Sequence, residues 1–330
     1  MTKKAPNIFE YATSELSQDA VICWLLEWAN PVNEQFDPAL HSYGKTFLTS
    51  LLEKCNETCP DQLKSVKIYK QYKNIDVLLV INDNHCIVIE DKTNTAEHSD
   101  QLQRYKQQIE SEFNDHRMSF IYFKTGVQLD YSSVKTAGYS IYTAYDFIDS
   151  FKTEENQLPV GILRDYYQHL KCMIEETRSY ESILVKDWSD TTWNGFFTEL
   201  SKHYEGFNLS GYASSKGCYF YWQEHEQLSL GSYLRISQKT RKLSIKLESK
   251  AKGLNFDDVN KFRESVFNSD TANILGKGKK SGKINTTLAN YHEDFPSVTA
   301  TGLLDMTQTK SAIKRCIDIL DITRKTIMSS

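Results

Sequence analysis

The chain lacks the features of a secreted or membrane-spanning protein. No apolar run approaches the roughly 20 residues that a helix needs to cross a bilayer, and residues 1–7 lack the hydrophobic core of a signal peptide. Internal repeats and low-complexity tracts are also missing, and the content of 40% hydrophobic and 25% charged residues is ordinary for a globular protein. We therefore expect a cytoplasmic protein without a membrane partner.

The seven cysteines show neither a disulfide framework nor a zinc-binding pattern. Their number is odd and their spacing does not repeat. The one close pair, Cys55 and Cys59, is not followed by a second Cys or His pair at the distance typical of zinc sites. Cys23 and Cys86 stand in apolar segments, where cysteine usually acts as a small core residue. We expect reduced thiols without a catalytic role.

An excess of positive charge is missing as well, since 39 Lys and Arg oppose 43 Asp and Glu, for a formal net charge of −4. Local basic patches matter more than net charge for contact with phosphate backbones. Two stretches, residues 239–252 and the glycine-rich loop 276–283, are basic enough to contact nucleic acid, although a solvated surface loop is the alternative for the second. The candidate contact residues are Lys242, Lys246, Lys277, Lys279, Lys280 and Lys283.

The loop 276–283 does not fit a nucleotide-binding P-loop. Five residues separate Gly276 from Gly282, where a P-loop has four, and Ile284 stands where Ser or Thr would hold magnesium. The sequence therefore offers no nucleotide-hydrolysing motif.

What the chain does contain is a pair of apolar strands with ionisable groups at the same end. Residues 75–81 and 86–92 read as strands joined by the polar turn 82–85, with Asp76 opening the first strand and Glu90-x-Lys92 closing the second. Strand side chains alternate, so Glu90 and Lys92 share one face and Asp91 points to the other. Folding the hairpin places Asp76 beside Glu90, and this crowding of charges is costly unless a metal ion resolves it.

This pattern resembles the PD-(D/E)XK nuclease superfamily, whose motif is an aspartate, a hairpin of similar length and Asp/Glu-x-Lys. Ile75 replaces the usual proline, which shapes the backbone and does no chemistry. Downstream, Gln101 and Tyr105 match the Gln-x-x-x-Tyr signature of RecB-type nucleases and share one helix face. Upstream, Glu15 matches the glutamate of the family's first helix. The resemblance covers residues 8–125. Within it, residues 20–30 are also similar to uncharacterised bacterial members of the superfamily.

The resemblance implies a metal-dependent nuclease that hydrolyses phosphodiester bonds, most readily in DNA, with RNA left open and a role in bacterial defence against foreign DNA as an extension. It assigns Mg²⁺, for which Mn²⁺ can substitute, to oxygen ligands. Lys92 would position the attacking water or stabilise the phosphate, and Gln101 and Tyr105 would orient these groups by hydrogen bonds. The implied metal ligands are Asp76, Glu90, Glu15 and the backbone carbonyl of Asp91.

Each of these residues also has an ordinary structural explanation. Asp76 can cap the start of its strand at the sheet edge and face water, Glu90 and Lys92 can form a surface ion pair worth under about 1 kcal/mol, and the helix dipole favours Glu15. Two other functions stay open: a nuclease fold that binds or assembles without chemistry, and a metal-dependent hydrolase of another phosphate ester. No helicase motif is present, so duplex opening would need a partner protein, and a homo-oligomer is also left open.

The order of predicted elements indicates an α/β (α+β) fold. Residues 1–152 are expected to form a restriction-endonuclease-like mixed sheet core flanked by helices, and residues 153–330 a smaller α+β C-terminal region that contacts nucleic acid or a partner. The polar segment 152–159 is the predicted boundary. The hairpin strands read as near-continuous apolar runs, so we expect them to be central and buried on both faces.

The first helix is expected to start near Ser17, a good N-cap. The other elements predicted for residues 1–152 are a helix from Pro38 to about Cys55, strands over 66–72, 118–123 and 139–142, a helix over 98–113 and one from Ala144. For the C-terminal region we predict helices over 160–180, 188–204, 256–268 and 307–327, and a strand meander over 217–222, 228–237 and 243–248. The aromatic run 219–222 fits core packing, with base stacking as the alternative.

Overall fold

The computed structural model of this chain describes residues 6–93, 95, 97, 100–151, 157–159, 161–210, 216–250, 253–279 and 284–328. The chain divides into two compact units, Met1–Glu175 and Glu176–Ser330. Within the described ranges, no helix is both long and apolar enough to cross a membrane.

The first unit is built on a five-stranded mixed sheet whose strands lie in chain order. Strands β1, β2 and β3 are antiparallel, β4 runs parallel to β3, and β5 runs parallel to β4. The strands are β1 Val66–Tyr72, β2 Ile75–Ile81, β3 His85–Lys92, β4 Arg117–Lys124 and β5 Ser140–Thr143. The helices are α1 Glu15–Trp28, α2 Pro38–Lys54, α3 Gln101–Glu112, α4 Ser132–Thr136, α5 Ala144–Phe151 and α6 Ile162–Arg178.

Strands β2 and β3 form the centre of this sheet and are buried on both faces, as their apolar sequences predict. On one face, Val77 and Ile89 join a core that includes the buried residues of α1, α2 and α6. On the other face, Leu78 and Val88 pack with the buried residues of α3. The sheet therefore packs against helices on both faces. This packing fixes the positions of the ends of β2 and β3 relative to each other.

The prediction that α1 starts near Ser17 is wrong by two residues. The helix begins at Glu15, because Ser14 is the last residue with an extended backbone (φ −87°, ψ 155°). Ser17 lies in the first turn, with its Oγ 3.0 Å from Ser14 Oγ. The earlier start puts Glu15 and Asp19 one turn apart on the same side of α1.

The turn between β2 and β3 is also shorter than predicted. Strand β3 already begins at His85, which pairs with Ile81. Asn82 and Asp83 both adopt left-handed backbone conformations, with φ of 51° and 54°. These residue types tolerate that region best after glycine, so a tight reversal is available without lengthening the loop.

The second unit contains a six-stranded antiparallel sheet in the order β10-β11-β9-β8-β7-β6. The predicted meander forms its centre as β7, β8 and β9, while the other three strands were not predicted. The strands are β6 Asn208–Ser210, β7 Gly217–His225, β8 Leu230–Ser237, β9 Lys242–Ser249, β10 Leu275–Lys277 and β11 Asn285–Tyr291. The helices are α7 Asp190–Ser201, α8 Phe256–Ser269 and α9 Met306–Met328. A mixed α/β core with an α+β C-terminal part confirms the predicted fold class.

The aromatic run in β7 is distributed between the core and a surface stack. Phe220 is fully buried, and Tyr221 donates a hydrogen bond from its hydroxyl to Asp321 on α9. Trp222 stacks on Tyr233 with ring centroids 4.7 Å apart and an interplanar angle of 11°. These contacts with other side chains agree with the prediction that the aromatic run 219–222 packs within the protein.

The compact division lies later in the chain than the boundary predicted after residue 152. Helix α6 supplies Leu163, Tyr166 and Leu170 to the core of the first unit, so this unit continues to Glu175. Residues 152–156 of the predicted boundary segment lie outside the described residues. The functional assignment of residues 1–152 and 153–330 stays a prediction.

Candidate active site

The ends of β2 and β3 bring Asp76, Glu90 and Lys92 together. The paired positions of the two strands end at Val77 and Ile89, and the same register continued by one residue sets Asp76 opposite Glu90. The Asp76 carboxylate is fixed against β3 because its Oδ2 accepts a hydrogen bond of 2.9 Å from the Asp91 backbone N–H. The hairpin thus makes Asp76 and Glu90 direct neighbours, although they are fourteen residues apart in the sequence.

The Lys92 ammonium lies where three predicted metal-ligand oxygens converge. Its Nζ is 2.6 Å from Glu90 Oε1, 2.9 Å from the backbone oxygen of Asp91 and 3.7 Å from Asp76 Oδ2. Lys92 is 7% exposed and Glu90 is fully buried, so this is a buried ion pair and not a surface one. Burial pushes the pKa of Lys92 down, but the charge and hydrogen bond of Glu90 and the charge of Asp76 outweigh it and raise the pKa.

Glu90 carries an unsatisfied oxygen in this cluster. Burial, followed by repulsion from Asp76, raises the pKa of Glu90 to about 7 against the opposing effect of Lys92. Its Oε2 is buried and accepts no hydrogen bond from the described residues. Because a buried polar atom without a partner is costly, this oxygen is a natural ligand for a cation.

Helix α3 supplies the Gln-x-x-x-Tyr pair. Gln101, the first residue of α3, donates from Nε2 to Glu90 Oε1 at 2.8 Å and to the Tyr105 hydroxyl at 3.1 Å. The predicted pair therefore contacts the site through Glu90, with Tyr105 one step further away.

Glu15 is placed near the same end of the sheet but faces the segment after β3. Its Oε1 accepts hydrogen bonds from the Thr93 backbone N–H at 3.1 Å and from the Thr95 hydroxyl at 2.8 Å. Within the described part of the chain, Glu15 forms no hydrogen bond with Asp76 or Glu90.

The Asp91 side chain points away from Glu90 toward α1, as strand alternation predicts. Its Oδ1 accepts a hydrogen bond from Gln18 Nε2, and Gln18 Oε1 accepts one of 2.9 Å from the Thr125 hydroxyl. Burial raises the pKa of the Asp91 carboxyl well above its ordinary value. Asp91 therefore contacts the Glu90 and Lys92 side of the site through its backbone carbonyl, which accepts a hydrogen bond from Lys92 Nζ.

Three residues of this cluster were missed by sequence reasoning. Asp19 on α1 is almost fully buried, and burial followed by repulsion from Asp76 raises its pKa to about 6. Gln71 on β1 donates hydrogen bonds to both Asp19 and Asp76. The i,i+4 spacing of Glu15 and Asp19 was the one available signal for Asp19.

Lys124 is the third missed residue. It ends β4 opposite Lys92 in the parallel register, and its Nζ donates to the backbone oxygens of Thr93 at 2.7 Å and Thr95 at 2.5 Å. Burial lowers the pKa of Lys124 to about 8. The ammonium therefore fixes the same segment that Glu15 contacts, and its position at the end of a strand was the signal that could have found it.

A sequence model described as the PD-(D/E)XK nuclease superfamily matches residues 6–188, more than half of the chain. The chain belongs to this superfamily. Membership implies a nuclease, that is a phosphodiester hydrolase, and such nucleases typically use divalent metal ions. The first unit is accordingly the restriction-endonuclease-like core predicted from the sequence. Comparison with curated proteins and with solved structures gave no match.

The oxygen donors of this PD-(D/E)XK site fit a hard divalent cation, although no three His, Cys, Asp or Glu side chains of the described residues are arranged to hold one as they stand. Lys92 Nζ occupies the point on which the side-chain oxygens of Glu90 and Asp76 and the backbone oxygen of Asp91 converge. The unpartnered Glu90 Oε2 is an available oxygen ligand, and the groups that converge here are carboxylate and carbonyl oxygens, which suit a hard cation.

The lysines predicted to contact nucleic acid lie in the second unit. Lys246 is buried, with its Nζ 3.0 Å from the Thr287 hydroxyl, and burial lowers its pKa. Lys242 lies 3.3 Å from Asp294, and Lys277 and Lys279 are exposed. The two remaining candidates, Lys280 and Lys283, lie outside the described residues.

Proposed function

We propose that this chain is a metal-dependent nuclease that hydrolyses phosphodiester bonds in DNA at the site formed by Asp76, Glu90 and Lys92. The observation that carries the proposal is the convergence of three ligand-type oxygens on Lys92 Nζ at 2.6, 2.9 and 3.7 Å. Membership of the PD-(D/E)XK superfamily supports the reaction class, and the preference for DNA follows the resemblance.

In this proposal the carboxylates of Asp76 and Glu90 and the backbone carbonyl of Asp91 hold Mg²⁺, or Mn²⁺ in its place. When bound, such an ion polarises the scissile phosphate and lowers the pKa of a water molecule. Asp76 is held for this role by the Asp91 N–H, and Glu90 by the Gln101 amide. Glu15 remains a predicted ligand whose present contacts hold Thr93 and Thr95.

Lys92 is the proposed catalytic ammonium. Its acidic neighbours raise its pKa, so it carries its charge at neutral pH. It can therefore donate hydrogen bonds to the phosphate as negative charge develops there, or orient the attacking water. Tyr105 acts through Gln101 and is a positioning residue.

Replacing Lys92 tests this proposal. The purified full chain is incubated with single-stranded DNA, duplex DNA and RNA in Mg²⁺, Mn²⁺ or EDTA. We expect cleavage of DNA with either metal and none in EDTA, and a loss of at least ~100-fold in rate for Lys92→Ala, the scale of proton-transfer and charge-stabilising groups. The measurement is the initial cleavage rate on labelled DNA.

Lys67→Ala provides a matched control, because Lys67 Nζ also lies close to a carboxylate, 2.5 Å from that of Asp83, in the turn at the opposite end of the hairpin. This variant should cleave at the parental rate. A fully active Lys92→Ala variant would reject the assignment, and a chain that binds DNA equally with and without metal but never cleaves it would favour a binding module. The predictions of a defence role, cytoplasmic location and a partner or homo-oligomer go beyond this site.

A further inference from the structure

The sheet of the second unit has two faces of different composition. On the side of the helices, His225 of β7 packs against Phe262 of α8, with ring centroids 4.8 Å apart. His225 pairs with Leu230 of β8, so every second residue of β8 counted from Leu230 points to the helices. The residues between them, among them Tyr233 and Arg235, point to the opposite face.

Aromatic and cationic side chains of neighbouring strands meet on this opposite face. The register pairs Tyr219 with Arg235 across β7 and β8, and Tyr233 with Lys246 across β8 and β9. Lys246 in turn pairs with Thr287 of β11. Side chains directly opposite each other in such pairs are close enough to interact. We call this surface the Trp222 face and define it by Tyr219, Trp222, Tyr233, Arg235, Lys246 and Thr287.

Trp222 presents a flat ring at the surface of this face. Its indole stacks on Tyr233, while Tyr219 meets Tyr233 edge-on with ring centroids 6.1 Å apart. A Cβ atom on Gly231 would lie 2.6 Å from Cζ2 of Trp222, so the missing side chain of Gly231 lets the indole lie on β8. Tyr233 is 7% exposed but Trp222 is 38% exposed. The stack is therefore closed on the Tyr233 side and open on the Trp222 side, where a further flat ring can be added.

Lys246 is a buried cation on the same face. The residue is 6% exposed, and its Nζ donates a hydrogen bond of 3.0 Å to the Thr287 hydroxyl. Within the part of the chain that the structure describes, this ammonium forms no ion pair with a carboxylate, unlike those of Lys242 and Lys250 on the same strand and just after it. A buried charge is costly unless an opposite charge reaches it, so an anion is the group that this position lacks.

The carboxylates that border the Trp222 face have partners of their own. Glu248 accepts a hydrogen bond of 3.3 Å from the Tyr233 hydroxyl, and Glu224 forms an ion pair with Lys250. Burial, followed by the charge of Arg235, lowers the pKa of Lys246, and Glu248 offsets only part of this effect. The described carboxylates therefore leave the Lys246 part of the face positively charged.

A single nucleic-acid strand combines the two groups that this face can accept, a flat ring and an anion. Its bases leave free faces that stack on aromatic side chains, and its phosphates accept hydrogen bonds from cations and hydroxyls. Because Tyr233 pairs directly with Lys246, the aromatic stack and the ammonium are adjacent, so a base and a neighbouring phosphate can reach both. The Thr287 hydroxyl accepts from Lys246 and keeps its own hydrogen to donate to a phosphate oxygen.

We propose that the Trp222 face binds single-stranded DNA, with a base stacked on the outer side of Trp222 and a backbone phosphate on Lys246 and Thr287. Arg235 adds positive charge beside this phosphate. The choice of DNA rests on the proposed function, whereas the face itself shares no residue with the proposed cleavage site. The inference gives the second unit a role in holding the substrate strand.

The stacked base is tested by DNA binding of the full chain in EDTA, so that cleavage does not consume the ligand. The probe is a fluorescein-labelled oligothymidylate of roughly 16 nucleotides, the upper end of the range for one single-strand-binding fold, and the readout is fluorescence anisotropy. We expect Trp222→Ala to weaken binding by about tenfold or more, the scale of one lost stacked base. Trp222→Phe, which keeps a smaller ring, should retain most of the affinity. Unlabelled oligothymidylate should quench the tryptophan fluorescence of the parent and much less that of Trp222→Phe.

Lys246→Met tests the phosphate position, because methionine keeps an unbranched side chain and removes the charge. The affinity should fall, and the slope of log affinity against log salt concentration should decrease by about 0.7, the value for one phosphate contact in a single strand. Lys202→Met is the matched control in the same unit. Lys202 is an exposed cation whose Nζ lies 2.8 Å from Glu199, so this variant should keep the parental affinity and slope.

Thermal unfolding separates phosphate binding from a structural role of Lys246. Lys246→Met should unfold at the parental temperature or above it, because the substitution removes a buried charge that has no described ionic partner. A purely structural Lys246 would give a lower unfolding temperature and an unchanged salt slope, and this result would overturn the phosphate position.

The remaining outcomes also decide. Parental affinity in both Trp222→Ala and Lys246→Met, or no binding of oligothymidylate by the parent, would overturn the inference. Equal or tighter binding of the matching duplex would contradict the stacked base, and tighter binding of oligouridylate would overturn the choice of DNA. In these cases the proposed nuclease stands as long as the parent cleaves DNA with metal and Lys92→Ala does not. Binding that depends on Trp222 and Lys246 in a chain that cleaves nothing would instead remove the nuclease and keep the Trp222 face.

Discussion

At the scale of single residues, the end of the hairpin holds more acid than base. Lys92 is the ammonium that directly contacts Glu90 and Asp76. Burial is the main cause of the raised pKa of Glu90, and the surplus adds to it through Asp76, whereas for Lys92 the same negative charges outweigh burial and raise the pKa. A bound divalent cation would relieve this repulsion.

The surplus predicts a stability change that depends on pH. The pKa of Glu90 rises from 4.5 to about 7 on folding, so between these values the folded state binds more protons and loses stability as pH increases. In EDTA at pH 8 we expect Glu90→Gln to have a higher free energy of unfolding than the parent, by on the order of 3 kcal/mol at most. The variant should therefore unfold at a higher temperature. This advantage should vanish as pH falls below 4.5. Calorimetry across pH 4–8 measures it.

Glu112→Gln is the control of opposite sign. Hydrogen bonds from Lys73 and Tyr72 lower the pKa of Glu112, so its contribution is present above its ordinary pKa and is lost as pH falls. The same replacement there should lower the unfolding temperature at pH 8. If Glu90→Gln behaves like Glu112→Gln, the burial and repulsion assigned to Glu90 are wrong.

What could be predicted about the site follows from the range of each interaction. Alternation along β3 is a local property of the backbone, so the sequence was enough to separate Asp91 from Glu90 and Lys92. Asp19 and Gln71 lie on α1 and β1, and only the packing of those elements brings them to Asp76. The spacing of Glu15 and Asp19 is a local hint for Asp19 only, and no local pattern points to Gln71.

At the scale of elements, the long apolar strands were predictable, whereas the short edge strand β10 and the polar inner strand β11 were not. Both hairpin strands carry near-continuous apolar runs, and their burial on both faces is confirmed. Strand β10 has three residues, and β11 contains Asn, Thr and Tyr between its apolar positions, so neither shows a periodic signal. Their pairing comes from neighbouring strands and not from their own composition.

The crossing of α1 and α2 depends on Gly44. A Cβ atom there would lie 2.6 Å from Ala29 N and 2.7 Å from Leu25 O, both in the backbone. Alanine favours a helix over glycine by about 1 kcal/mol, but overpacking costs about 1–3 kcal/mol. We expect Gly44→Ala to lower the free energy of unfolding in urea and, because α1 carries the predicted ligand Glu15, to weaken Mn²⁺ binding.

Ser42→Ala on the exposed side of α2 is the matched control, since it gains helix propensity without meeting α1. Its stability should equal or exceed that of the parent. A Gly44→Ala variant as stable as Ser42→Ala would show that the helices can separate without cost.

At the scale of the whole molecule, the superfamily match and the compact units do not end at the same residue. The match runs to residue 188, beyond the end of the first unit at Glu175. For the second unit, the sequence indicated an α+β composition but not the order β10-β11-β9-β8-β7-β6, because strand order is set by pairings between distant segments. The end of the first unit was not predictable for the same reason, because it depends on the packing of α6 against distant parts of the chain.

Helix α6 makes the boundary testable with fragments of the first unit. Tyr166 packs against Phe9 and Phe147, with ring centroids 5.2 and 5.1 Å away, and Leu163 and Leu170 are buried in the same core. Each buried side chain of this kind contributes about 1.5–3 kcal/mol, so the three together approach the about 5–15 kcal/mol that stabilises a domain. We therefore expect the fragment 1–178, which keeps α6 whole, to unfold cooperatively, and the fragment 1–152 to lose its cooperative transition in circular dichroism. Equal transitions in both fragments would mean that α6 only covers a core that is already complete, and the predicted boundary after residue 152 would then be the better one.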